Sequence, residues 1–171
     1  MRTRLFVAAV VIQALVLLGW AADLEWTLAR APRIRLAVAQ RDPRDLLRGT
    51  YVDLRFEIQE IPATMLTPGA LPEPGDSIWV ILAPKGDVYG VVAVSRTPPT
   101  LEPDQRVIAG RARWFASGVS RPLYVEYGIE HYYVPETAGT VPRGKLEAEV
   151  AVTRNGRPFL TRLFVDGRPY P

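Results

Sequence analysis

Cysteine is absent from this 171-residue chain, which excludes a disulfide framework, a thiolate metal site and a cysteine nucleophile and leaves stability to packing. Histidine is almost absent too. His131 is the one imidazole, so a Ser-His-Asp arrangement would have to use it, and no Gly-x-Ser-x-Gly elbow accompanies it. Around His131 stand Glu126, Glu130 and Glu136, an oxygen-only supply, whereas zinc sites draw on several His or Cys ligands. Lys85 and Lys145 are the only lysines, and each adjoins a glycine in turn-like sequence, where an ammonium is solvated rather than buried beside a serine. Charge of one sign is also lacking: of 21 basic residues Arg2 and Arg4 precede the first apolar run, leaving 19 against 18 acidic ones. With no Gly-rich phosphate cradle either, the composition points away from nucleic acid despite a pI near 9.4.

What is present begins with the uncharged run Leu5 to Ala22, LFVAAVVIQALVLLGWAA, in which Gln13 is the only strongly polar side chain. Eighteen helical residues rise about 27 Å, close to the roughly 30 Å hydrocarbon core of a bilayer. Trp20 and Trp26 suit an interface, and Arg2 and Arg4 on one side with Asp23 and Glu25 on the other place the N-terminus in the cytoplasm. The segment 1–27 therefore reads as a transmembrane signal-anchor in the inner, cytoplasmic membrane, single-pass, with the rest extracytoplasmic. A cleaved signal peptide is the rival reading, with Gly19 and Ala21 as small residues before a cleavage site.

From residue 32 to 171 the period changes from helical to alternating, and proline and glycine punctuate the chain. Tyr51 to Ile58 predicts a strand with Val52, Leu54, Phe56 and Ile58 facing a core and Tyr51, Asp53, Arg55 and Glu57 facing water. Ser77 to Ala83 is apolar throughout and predicts a strand covered on both sides, turning at Pro84-Lys85-Gly86-Asp87 into Val88 to Ser95. Leu146 to Val152, Asn155-Gly156 and Pro158 to Val165 predict a second hairpin, with Glu147 and Glu149 as solvated residues of its outer face. Pro62 to Gly75 and Thr97 to Pro103 read as surface loops, and Asp42 to Gly49 as a very short capped helix.

The fold expected is mainly β: a single N-terminal transmembrane helix followed by a β-sandwich or partly open β-barrel of around eight strands. Arg48-Gly49-Thr50-Tyr51-Val52-Asp53-Leu54-Arg55-Phe56 resembles the motif of the family of bacterial membrane proteins named GDYXXLXY. Gly49, Tyr51 and Leu54 are in place, while Thr50 replaces the motif's aspartate and Phe56 its last tyrosine. Tyr127 to Glu136 looks like the family's second block. The resemblance implies a single-span or signal-anchored protein of unassigned activity working beside a multi-span membrane protein, and it supplies no catalytic residue, cofactor or metal.

The candidate contact face consists of Arg44, Arg48, Tyr51, Arg55, Tyr127, Glu130, Tyr133 and Glu136, combining aromatic bodies with polar tips and arginines, which anchor interfaces. The function expected from it is binding or assembly on a membrane or envelope partner. The competing class is a carboxylate-dependent hydrolase of an envelope polymer, for which Asp42, Asp45, Glu130 and Glu136 supply acids.

Overall fold

A computed structural model describes residues 2–39, 51–66, 72–114, 122–133 and 144–170. The chain is mainly β, with one N-terminal apolar helix, and divides into two units, Met1–Ala31 and Pro32–Pro171. The helix α1 (Arg2–Arg30) is long and apolar enough to cross a membrane, and its apolar window buries nothing inside the protein. It stops where Ala31 precedes Pro32, since the proline ring disfavours helical geometry in the residue before it. Arg30 lies in the last turn, where a cation complements the helix dipole, and stacks 3.7 Å over the Trp26 ring.

The described residues of the second unit form eleven strands: β1 (Arg33–Val38), β2 (Tyr51–Asp53), β3 (Glu60–Ile61), β4 (Ser77–Lys85), β5 (Val88–Ser95), β6 (Arg106–Trp114), β7 (Leu123–Glu126), β8 (His131–Tyr133), β9 (Leu146–Val152), β10 (Pro158–Val165) and β11 (Arg168–Tyr170). One antiparallel sheet runs β1-β9-β10-β11 and the other β3-β7-β6-β4-β5, while β2 and β8 make a two-stranded ribbon. The inner faces of both sheets meet in one core, with Ile34 and Leu36 of β1, Val150 of β9 and Leu163 of β10 on one side and Val80, Ile108 and Val125 on the other. At one side β1 and β5 lie close without a ladder between them, so the sandwich approaches a barrel there.

The second hairpin has the ends expected of it, with Gly156 at φ 77° in its turn. The first differs in detail. Its strand runs on through Pro84 to Lys85, so that Gly86 (φ 67°) and Asp87 alone make the turn. Proline is tolerated at 84 because the neighbour β6 reaches only as far as Leu82, leaving no ladder on that side to interrupt. Coverage of β4 is one-sided rather than two-sided: Ile78, Val80 and Leu82 are fully buried, but Trp79, Ile81 and Ala83 are half-buried. The strand expected over 51–58 also ends early, at Asp53. Leu54 and Phe56 nevertheless keep pointing into the core, because extended backbone alternates its side chains with or without a ladder. The short helix expected over 42–49 and part of the 62–75 loop lie outside the described residues.

Candidate functional site

Two distant segments meet at the ribbon. Its register pairs Tyr51 with Tyr133, Val52 with Tyr132 and Asp53 with His131, and the Leu54 N–H extends it by donating to the Glu130 carbonyl at 2.6 Å. The same segment is tied to β1, where Ala39 N–H donates to the Arg55 carbonyl at 2.6 Å and Val38 bridges Phe56. The segment after Tyr51 is thus stitched on one side to the sandwich and on the other to the block around His131.

A buried polar brace locks this junction. After Phe56 the chain makes one 3-10 turn (Glu57–Gln59), and Gln59, which is fully buried, turns its amide inward. Its Oε1 accepts from the Phe56 N–H at 2.8 Å, and its Nε2 donates to Glu130 Oε1 at 3.1 Å. The same Glu130 oxygen accepts from the Tyr127 N–H at 2.6 Å, and the Tyr127 hydroxyl donates to the Ile58 carbonyl at 2.8 Å. Each buried donor thereby finds an acceptor, which matters because an unpaired buried polar group costs about 1–3 kcal/mol. Burial, reinforced by the Glu130 charge, pushes the Tyr127 phenol well above its usual 10.0.

The rim around this brace is charged. Asp53 and His131, cross-strand partners, approach to 2.6 Å between Oδ1 and Nδ1 with both side chains exposed. Arg55 pairs with Glu60 at 3.7 Å, and Glu60 faces Tyr124 in the β3–β7 register. Burial raises the Tyr124 phenol above 10.0, with the Arg55 guanidinium opposing that shift. Beyond Tyr124, Glu126 accepts from Arg113 Nε at 3.0 Å beside a shallow cavity of about 450 Å³ that Arg111, Gly110 and Tyr127 also line.

Of the residues expected to make the contact face, Arg55 is half-buried on the rim and Glu130 half-buried within the brace. Tyr51 and Tyr133 are register partners in the ribbon. Tyr127 belongs to the core, 7% exposed with its hydroxyl spent on the Ile58 carbonyl, so it supports the face from beneath rather than presenting a ring to solvent. Arg44, Arg48 and Glu136, like Asp42 and Asp45, lie outside the described residues. Gln59 was not among the expected residues; it directly follows the alternating stretch, and nothing in the residue pattern marks it as buried. Glu147 also departs from expectation. It is 4% exposed, held by Lys145 Nζ at 2.8 Å and Arg35 at 3.6 Å, with Arg35 stacked over Phe164 at 4.4 Å.

Chemically, this junction is built to hold shape. Glu130 offers its Oε1 to two structural donors, and among the described residues no three His, Asp or Glu side chains gather where they could hold a metal ion. Phe56, standing where the motif has its last tyrosine, is 1% exposed, in a place where an added hydroxyl would need a buried partner. No curated protein and no solved structure matches the chain. The family model described as GDYXXLXY protein matches residues 13–163, which take in the five-stranded sheet, β1, β9 and most of β10, the ribbon and the brace, and the chain belongs to that family.

Proposed function

We propose that this protein is a membrane-anchored binding or assembly module. In this reading α1 is retained in the cytoplasmic membrane, the β domain lies on the extracytoplasmic side, and the rim above the β2–β8 junction docks on a membrane or envelope partner. A multi-span membrane protein is the partner class that the family resemblance suggests.

The supporting observation is how differently the junction uses its inner and outer polar groups. Inside, Gln59, Glu130 and Tyr127 are tied into one network that fixes the two segments against each other. Outside, Asp53 pairs with His131 and Arg55 with Glu60 through largely exposed side chains, where ion pairs contribute about 0–1 kcal/mol and exchange partners at little cost. A rigid base beneath loosely paired charges and an arginine suits recognition, because little ordering entropy is lost on docking. The hydrolase expectation draws no support from Glu130, whose Oε1 already serves two donors.

The test is photo-crosslinking in native membranes with a photoreactive residue replacing the exposed His131. The expected result is one recurrent membrane-protein adduct, diminished by Arg55→Glu in a variant whose near-ultraviolet dichroism is unchanged. Adducts no more specific than those from a probe at Asn155, at the tip of the β9–β10 hairpin and the opposite end of the sheet from the ribbon, would refute docking through this rim.

A further inference from the structure

A second surface is defined by where the chain enters the β domain. The 29 residues of α1 extend about 43 Å, matching the roughly 40–45 Å thickness of a bilayer with its headgroups, so a spanning α1 brings Arg30 to headgroup level. Only Ala31 and Pro32 separate Arg30 from Arg33, and three peptide units reach at most about 11 Å, whatever orientation the domain adopts. The residues gathered around Pro32 therefore lie within reach of the bilayer surface.

Those residues are the tip of the β9–β10 hairpin and the connection between β5 and β6. The Val152 N–H donates to the Pro32 carbonyl at 3.0 Å, and a cavity of about 280 Å³ is lined jointly by Pro32, Leu101, Arg106 and Arg154. The tip is braced by Thr153 N–H to the Arg157 carbonyl at 3.0 Å and by Ala109 N–H to the Gly156 carbonyl at 2.8 Å. From this firm base Arg154 and Asn155 project into solvent, Leu101 is 36% exposed, and Arg157 lies 5.0 Å over the Phe159 ring. An arginine stacked on an aromatic ring also ends α1, and such pairs suit the boundary between headgroups and acyl chains. Glu102 is the acid lining this cavity, and its carboxylate accepts from Gln105 Nε2 at 3.1 Å. At the opposite end of the hairpin, where Val165 faces Leu146, Asp166 accepts from the Lys145 N–H, and Asp87 and Glu57 lie near enough to act on the Lys145 ammonium. The two ends thus differ in balance, with Arg106, Arg154 and Arg157 against Glu102 and Asp104 at the chain entrance, and acids mixed with Lys85, Lys145 and Arg168 at the far side.

We infer that the entrance end of the β domain seats on anionic phospholipid headgroups of the membrane that α1 crosses, Arg154 and Arg157 making the charge contacts and Leu101 and Phe159 the shallow apolar ones. The inference rests on the anchored reading proposed above. It adds that the domain holds a preferred face toward the bilayer, which fixes which way its far end looks.

Because the chain lacks cysteine, a single introduced one carries a probe cleanly. The full chain, with an environment-sensitive fluorophore on Asn155→Cys or on Arg168→Cys at the far end, is placed in nanodiscs of phosphatidylglycerol and phosphatidylcholine containing a headgroup nitroxide lipid. The two sites are separated by about six strand residues of roughly 3.3 Å each. The expected result is quenching at 155 exceeding that at 168, falling toward it in pure phosphatidylcholine and in about 0.5 M salt, where screening lengths shrink to a few ångströms. Arg154→Glu with Arg157→Glu should act the same way, since each arginine near an anionic surface favours contact roughly fivefold. Near-ultraviolet dichroism checks that the charge-reversed chain keeps its fold. Quenching that ignores lipid charge, salt and both reversals overturns the seating. Retention in the discs after carbonate washing tests the anchor separately: retained chain with charge-independent quenching refutes the seating alone, and released chain refutes both.

Discussion

Replacing Glu130 separates the structural role of its carboxylate from any role at the surface. In Glu130→Ala two donors lose their acceptor at once, the Tyr127 N–H at 2.6 Å and the fully buried Gln59 amide at 3.1 Å. Each stranded donor costs about 1–3 kcal/mol, and because Glu130 is half-buried water reaches part of the gap, so the lower half of the range applies, about 2–4 kcal/mol together. For a domain of this size that lowers the midpoint of thermal unfolding by roughly 6–20 °C. Glu130→Gln keeps an acceptor oxygen and loses only the charge assistance, about 1 kcal/mol. The assay is thermal unfolding of the full chain in detergent micelles by near-ultraviolet dichroism, joined to hydrogen exchange at the Tyr127 amide, which should become fast in the alanine variant and stay slow in the glutamine one. Equal stability of the two variants, with Tyr127 exchange unchanged, would refute the brace.

The Tyr127 phenol gives a pH signature: its folded value is raised above the unfolded 10.0, so the stability linked to its proton is complete below about pH 10 and is lost as pH rises through the folded value. Tyr127→Phe should flatten that alkaline loss in a stability–pH series while costing about 1–3 kcal/mol at neutral pH, because the Ile58 carbonyl loses its donor. Gly110→Ala places a methyl carbon 2.5 Å from Val125 Cγ1 and 3.0 Å from both the Glu126 carbonyl and Tyr127 Cδ1, so denaturant titration should show a loss of about 1–3 kcal/mol. On the outer face of the other sheet, Glu147→Leu should be close to neutral in the same titration, since it exchanges a buried charge for apolar volume. Arg35→Ala should cost about 1–3 kcal/mol, since it leaves that carboxylate short of a partner and uncovers the Phe164 ring.

These contrasts also mark where the residue pattern was informative. Periodicity carried the hairpins well, since Leu146 to Val152 and Pro158 to Val165 are set off by Asn155-Gly156, whose glycine takes the left-handed conformation that such a turn requires. Periodicity also placed Leu54 and Phe56 in the core, but it could not tell paired from unpaired extended chain. Both alternate side chains, so the end of β2 at Asp53 left no trace in the sequence. The polar residues show the deeper limit. Gln59 and Glu147 are ordinary surface types by composition, and each is buried where a partner from far along the chain meets it, Glu130 in one case and Arg35, alongside the neighbouring Lys145, in the other. Pairing across 71 residues, as between Gln59 and Glu130, is a property of topology, and topology is set by the sheets as a whole. The candidate site was therefore legible as two segments, through the resemblance that joined Tyr51 to the block ending at Glu136. It was not legible as a division of labour, in which Tyr127 and Glu130 hold the junction from within and Arg55, Asp53 and His131 stay on the rim.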